Sequence, residues 1–318
     1  MKKWLKRLSL FGGLALLLGG ILFFLGFAIS GFNIHALSNV RFAQKHYEER
    51  AEQEITSLTL DFDVSDFQIV FDENVTGVQI DYPQKQNRKG KNLSVILLTE
   101  TENSLTVKET KEKFVLSIVN FSSPKTTVRL PASRAYDLTI KTDTGDISLQ
   151  EGGNFSSLSL ETDTGDITVL GATAQTVRFE TDTGDISLID TQARDLAIDL
   201  DTGDLRLENV TVENKLLTET DTGDVTLAKT VKASEISIET DTGDIEARGA
   251  LVDATTVHLS TDTGDVTATL AGEYAHYAVS VKTHTGDSNI ATNLEFTEHT
   301  TRSLKVETDT GDIKIYFE

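Results

Sequence analysis

The chain contains no cysteine among its 318 residues. Disulfides, zinc–thiolate centres, a cysteine nucleophile and a lipid anchor on cysteine are therefore excluded. Aromatic residues are scarce, at 7% against 38% for all hydrophobic residues, which suits a thin core of stacked aliphatic side chains better than a thick globular one. Positive charge is in deficit: 29 Lys and Arg face 50 Asp and Glu, for a net charge of −21. That balance argues against nucleic acid and against adsorption to anionic lipid. It favours solubility and attracts cations or basic partners.

A set of residues that occurs only once, as an active site usually requires, is also hard to find. The C-terminal part of the chain instead repeats one phrase, Thr-Asp-Thr-Gly-Asp followed by an aliphatic residue, in nine near-identical copies. The turn glycines are Gly145, Gly165, Gly184, Gly203, Gly223, Gly243, Gly264, Gly286 and Gly311, spaced by 20, 19, 19, 20, 20, 21, 22 and 25 residues. A period near 20 residues with strand-like sequence in each unit predicts an all-β fold, a single-stack parallel β-helix or β-solenoid in which each unit is one coil.

The segment Leu158–Leu170 shows the unit. Leu158, Leu160, Thr162 and Thr164 alternate with Ser159, Glu161 and Asp163, as in a strand with one buried face. After Gly165 the apolar positions become Ile167 and Val169, so the chain turns at Thr-Gly-Asp, where glycine permits positive φ. Parity points the Thr142, Thr162, Thr181, Thr220, Thr240, Thr261, Thr283 and Thr308 column inward, with Leu200 in the same place in the fourth copy. A charged column including Glu161, Glu180 and Asp199 faces outward. So do two Asp columns, one including Asp143, Asp163, Asp182, Asp221 and Asp241, the other Asp146, Asp166, Asp185, Asp224 and Asp244. Coils roughly 4.8 Å apart would bring these carboxylates into repulsion, so something must offset them.

Leu58–Val70 aligns without gaps on Leu158–Leu170, with Phe62, Val64 and Phe67 in place of Thr162, Thr164 and Ile167. It reads as an early coil with a more apolar interior, suited to the end of a stack. Gln84–Lys91 reads as an exposed loop. The expected organisation is a basic cytoplasmic tail (1–7), a transmembrane helix (8–34), a juxtamembrane linker or stalk (35–54) read as a short helix over Leu37–Glu54, a degenerate solenoid part (55–130) and the regular repeats (131–318). Lys2, Lys3, Lys6 and Arg7 precede the charge-free run Leu8–Ile34, which is long enough to span a bilayer with its basic flank inside. The competing reading is a signal peptide cleaved after Ala28-Ile29-Ser30, releasing a secreted protein. The chain stops directly after the ninth copy, at Ile313–Glu318. An open β edge there predicts weak end-to-end self-association.

The stretch Thr127–Leu149, with its Leu130-Pro131 step followed by Thr144-Gly145-Asp146-Ile147, resembles the bacterial family of unknown function labelled putative adhesin. The resemblance runs from about residue 55 to 318. It implies a right-handed solenoid on the outer side of the membrane, in some members tied to envelope-stress functions. The eighth copy departs from the pattern, with His284 in place of the first Asp and Ser288 in place of the aliphatic residue.

Two candidate sites follow. The Asp columns could form a ladder for weak calcium binding, since calcium prefers several carboxylate and carbonyl oxygens. The competing structural role is acceptance of hydrogen bonds from turn N–H groups, as Asp does beside Gly. Tyr274, His276 and Tyr277, with His284 and His299 nearby, form a late cluster that could line a ligand patch. No other cofactor is called for. The functional reading is a membrane-anchored binding or scaffold protein of the cell envelope, not an enzyme, whose ligand is a cell-wall polymer, another surface or a membrane protein. The alternatives are a modulator of an envelope-stress response and, as an outsider, a polysaccharide-active β-helix enzyme.

Overall fold

The computed structural model describes residues 18–22, 25, 40–87, 89–111, 124–150, 152–252, 254–293 and 300–318. They fall in two compact units. One comprises Met1–Ala43, Gln84–Val95 and Lys111–Ser123, the other Gln44–Pro83, Ile96–Thr110 and Pro124–Glu318. In the first unit Leu18–Leu22 is helical, but most of the 8–34 span lies outside the described residues. Among the described residues no helix is long and apolar enough to cross a membrane.

The second unit is an all-β stack. Each repeat except the eighth contributes one strand before its Gly corner and one after it, for example Asn154–Thr164 with Ile167–Leu170, and Thr173–Thr183 with Ile186–Ile189. Equivalent strands pair in parallel and in register, Leu158 with Val177 and Val177 with Leu196, Ile167 with Ile186 and Ile186 with Leu205. The inward columns are buried and mostly aliphatic, with Phe179, Thr218 and the Thr162 column among them. Removal of this apolar surface from water, at roughly 25 cal/mol per Å2, drives the stacking, because no single coil can bury its own face.

The corner explains why the glycines recur. Gly165, Gly184 and Gly203 have φ of 150°, 144° and 148°. A Cβ on Gly184 would stand 2.1 Å from the Gly165 carbonyl oxygen, and one on Gly203 would stand 2.0 Å from that of Gly184. Each glycine thus seats directly on the backbone of the coil below. The parity break comes earlier than alternation suggests. The column of Thr162 is buried, but Thr144, Thr164 and Thr183 are exposed along with the Asp before each, so alternation ends before the strand does.

At both ends the order of layers departs from the order of the chain. Ser57–Val64 pairs with Tyr136–Thr144 on one side and with Ser104–Lys111 on the other, and Asp66–Asp72 lies between Ile147–Leu149 and Lys125–Pro131. The Phe62 coil is therefore one layer in from the end rather than terminal. Its larger side chains pack Phe62 against Phe67 with centroids 5.7 Å apart. At the other end Arg302–Thr310 inserts between Thr256–Thr263 and Tyr277–Thr285. The expectation of an open edge at Ile313–Glu318 changes in part. The first strand of the ninth repeat is internal, whereas Ile313–Phe317 keeps a strand partner on one side and a single bridge from Ser288 to Ile313 on the other. The irregular eighth repeat forms the outer layer. Its own loop covers it: Val279 exchanges backbone hydrogen bonds with Asn293 (2.6 and 2.8 Å), and the Val281 N–H donates to Thr292 Oγ1.

Two further expectations change. Val40–Glu48 is a strand, not part of a helical stalk. Its end buries Tyr47, and the Glu49 N–H that follows donates to the Val78 carbonyl, so tertiary pairing overrides local helical preference. Of the Gln84–Lys91 segment, the part up to Asn87 belongs to the strand Gln79–Asn87, and Lys89, Gly90 and Lys91 are exposed outside any strand.

Candidate functional site

The corner repeats place the acidic columns in the open, and hydrogen bonding divides them. In the second column each carboxylate accepts the backbone N–H of its counterpart in the next layer. Asp166 N donates to Asp146 Oδ1 at 2.9 Å, Asp185 to Asp166 at 2.8 Å and Asp204 to Asp185 at 2.9 Å. Asp224 and Asp244 continue the ladder with bonds of 2.9 and 2.8 Å to Asp204 and Asp224. At the far end Asp312 donates to Asp265 and Asp287 to Asp312, in the swapped layer order. A charge-assisted acceptor for a strand-end N–H is the offset that stacked carboxylates require.

The buried threonines complete the corner. Thr162 Oγ1 donates to the Gly145 carbonyl at 3.0 Å, Thr261 to Gly243 at 3.0 Å and Thr308 to Gly264 at 3.0 Å. Leu200 takes this inward place in the fourth layer without a hydroxyl and is equally buried. At the N-terminal end of the ladder, Asp66 receives the Asp146 N–H, and burial holds its carboxyl above the usual value despite that bond.

The first Asp column is exposed from Asp143, Asp163 and Asp182 through Asp221 and Asp241. The neighbouring charged column is partly neutralised. Arg178 bonds Glu180 at 2.7 Å and lies 3.7 Å from Asp199, and Lys141 pairs with Glu161. Burial first, and then the Glu180 carboxylate, push the Asp199 carboxyl upward. Among the described residues no group of three or more His, Asp or Glu side chains is gathered to hold a metal ion. Calcium needs about six to eight oxygens around one centre, whereas the second column has one oxygen of each carboxylate tied to backbone.

The late aromatic cluster is largely structural. Tyr277 is buried, and its hydroxyl donates to the Ala271 carbonyl at 2.8 Å. Arg302 lies over its ring and also bonds Ala271. The Tyr274 hydroxyl donates to Ala291, and both tyrosine rings pack on Phe317. The expected patch of Tyr274, His276 and Tyr277 therefore loses its tyrosines to the closing layer, and only His276 stays exposed. His284 pairs with Asp309 at 2.8 Å, and His299 lies outside the described residues.

The closed N-terminal end holds a buried ion pair that sequence reading passed over. Glu49 has its side chain 2% exposed and accepts Arg134 Nη1 at 2.8 Å, Ile55 N–H at 3.1 Å and Val78 N–H at 2.6 Å. These partners lie up to 85 residues apart, so no local pattern marks them.

A stack of equivalent coils, joined at glycine corners and tied carboxylate to backbone, defines a repeat β-solenoid. The chain belongs to the Toastrack DUF4097 family, whose model matches residues 55–316. No curated protein matches it at a significant level. Among solved structures it is similar to a "putative adhesin" from Bacteroides fragilis, at 17% identity and TM-score 0.45, covering 86% of this chain and 97% of the other. A "putative lipid binding protein" from Parabacteroides distasonis is similar at 11% identity and TM-score 0.40, covering 86% and 96%. A "putative cell adhesion protein" from Clostridium sporogenes is similar at 12% identity and TM-score 0.23, covering 87% and 100%.

Proposed function

We propose that this chain is a non-enzymatic binding or scaffold protein of the bacterial cell envelope, held by a single membrane helix over residues 8–34 with its solenoid on the outer side. The observation that carries the reading is the equivalence of the layers. The same exposed side chains recur at each coil, so many weak identical contacts along one stack can act together, whereas chemistry would need a pair of groups in unlike environments. In this reading the coil is right-handed, as parallel crossovers almost always are. Cations act on the acidic columns only by screening. The ligand belongs to a surface: a wall polymer, a neighbouring cell or an envelope protein.

The test is retention of the detergent-solubilised full chain on purified cell walls, intact cells and lipid vesicles, with calcium or chelator. Retention on walls or cells is expected in both conditions. Failure on every surface would overturn the binding reading. Protease digestion limited to lysed cells would overturn the outward orientation.

A further inference from the structure

The acidic corner is the conspicuous surface, but its second Asp column is already occupied by backbone. A different face is not. Where the chain returns from one coil to the next, a groove of about 490 Å3 crosses four successive layers, from Asn154 to Thr211. Its floor is the register column Phe155, Ala174 and Ala193, which is 4%, 7% and 5% exposed. The two alanines recess the floor below its rims.

One rim is the row Asn154, Thr173, Gln192 and Thr211, in register from layer to layer. The other is formed by Ser156, Gln175, Arg194 and Glu213. All eight rim residues are exposed. Among the described residues the amides and hydroxyls of these rims have no side-chain hydrogen bond. The groove carries one positive and one negative side chain, in a protein of net charge −21.

We infer that this groove binds a neutral polysaccharide lying along the stack, an assignment that rests on the surface-binding reading above. Side-chain amides donate and accept together, which matches vicinal sugar hydroxyls. A shallow apolar floor suits the C–H face of a sugar ring. The rims recur roughly every 4.8 Å, so a chain of similar sugars meets similar partners layer after layer. A peptide is the poorer fit. Its usual footholds are a free strand edge or side-chain pockets, and here the backbone is engaged in the parallel ladders, as in Thr211 N–H to Thr191 and Glu213 N–H to Ala193. An acidic polymer is repelled by the net charge.

The test is affinity electrophoresis and calorimetry of the detergent-solubilised full chain. The probes are hydroxyethyl cellulose, dextran, neutral chito- and cello-oligosaccharides, and polygalacturonate as the acidic control. The comparison is between the double variant Gln175→Ala/Gln192→Ala and a corner variant, Asp163→Asn/Asp182→Asn, each checked for native circular dichroism. At least one neutral glycan is expected to bind, more tightly with length until it spans the groove. The double variant should weaken binding about tenfold or more, and the corner variant should leave it unchanged. Retention on cell walls with no response to any neutral glycan, or with full strength in the double variant, would overturn the groove and leave the surface-binding reading intact. Loss of retention on walls, cells and glycans alike would remove both.

Discussion

Replacing one corner glycine, Gly203→Ala, tests the stacking argument most directly. The added Cβ would lie 2.0 Å from the Gly184 carbonyl oxygen, and 3.0 Å is about as near as such atoms come. The two layers must part by about 1 Å out of roughly 4.8 Å. Alanine at φ 148° adds about 1–3 kcal/mol of backbone strain. Parting the layers weakens the bonds from Gly184 N–H to Thr202 (3.0 Å) and from Asp204 N–H to Asp185 (2.9 Å), each contributing about 1 kcal/mol net. The expected loss is about 3–5 kcal/mol in urea unfolding followed by far-ultraviolet circular dichroism. Gly272→Ala is the control, since φ is also positive there but the nearest atom to an added Cβ is 3.6 Å away. It should cost about 1–2 kcal/mol, from strain alone. Equal losses at the two positions, or less than about 1 kcal/mol at Gly203, would refute the claim that close approach fixes the corner.

Three further outcomes are expected. Thr218 stands in a column between Ile198 and Ile238, fully buried with its hydroxyl unpartnered, so Thr218→Val should stabilise by about 1–2 kcal/mol and raise the calorimetric melting temperature; a lower melting temperature would mean that the hydroxyl has a partner. Asp185→Ala should cost about 1 kcal/mol by removing the acceptor for the Asp204 N–H, while Asp185→Asn keeps an acceptor and should lie close to wild type; equal effects in denaturant would refute the ladder. The Asp81 carboxyl is held below its ordinary value by Arg129 at 2.7 Å and then by His46 at 2.8 Å, so its contribution is complete above the unfolded carboxylate value and is lost as pH falls through the lowered folded value. The stability gap to Asp81→Asn should therefore close on acidification, and a gap independent of pH would exclude the ion pair as its source.

Much of the solenoid was legible because its information is local and repeated. The glycine spacing, the change of parity at Ile167 and the inward Thr162 column all follow from short-range pattern, and the structure has them. Thr164 was misplaced because strict alternation was carried up to the glycine, whereas Asp163 and Thr164 are both exposed at the end of the strand. The strand at Val40–Glu48 was hidden because its partner is supplied by tertiary pairing. The layer order was illegible for a stronger reason. Repeats that resemble one another stack equally well in several orders, and only the departures at His284 and Ser288 mark the eighth copy as different. The neutral groove escaped notice for the same kind of reason, since Asn154, Gln175 and Gln192 form no motif and meet only through register.

The swapped layers at the two ends bear on how the chain is made. Repeats one to seven can dock in the order in which they leave the ribosome, each onto a finished neighbour. The strand Tyr277–Thr285 cannot, because the layer it rests on, Arg302–Thr310, is synthesised after it. Ser57–Val64 likewise waits for Ser104–Lys111 before its outer side is covered. Vectorial growth is thus confined to the middle of the stack, and each end closes like a clasp fastened by a later segment. A gene of this design could gain or lose middle repeats without rewriting either clasp, leaving the number of layers free to drift while the terminations stay fixed.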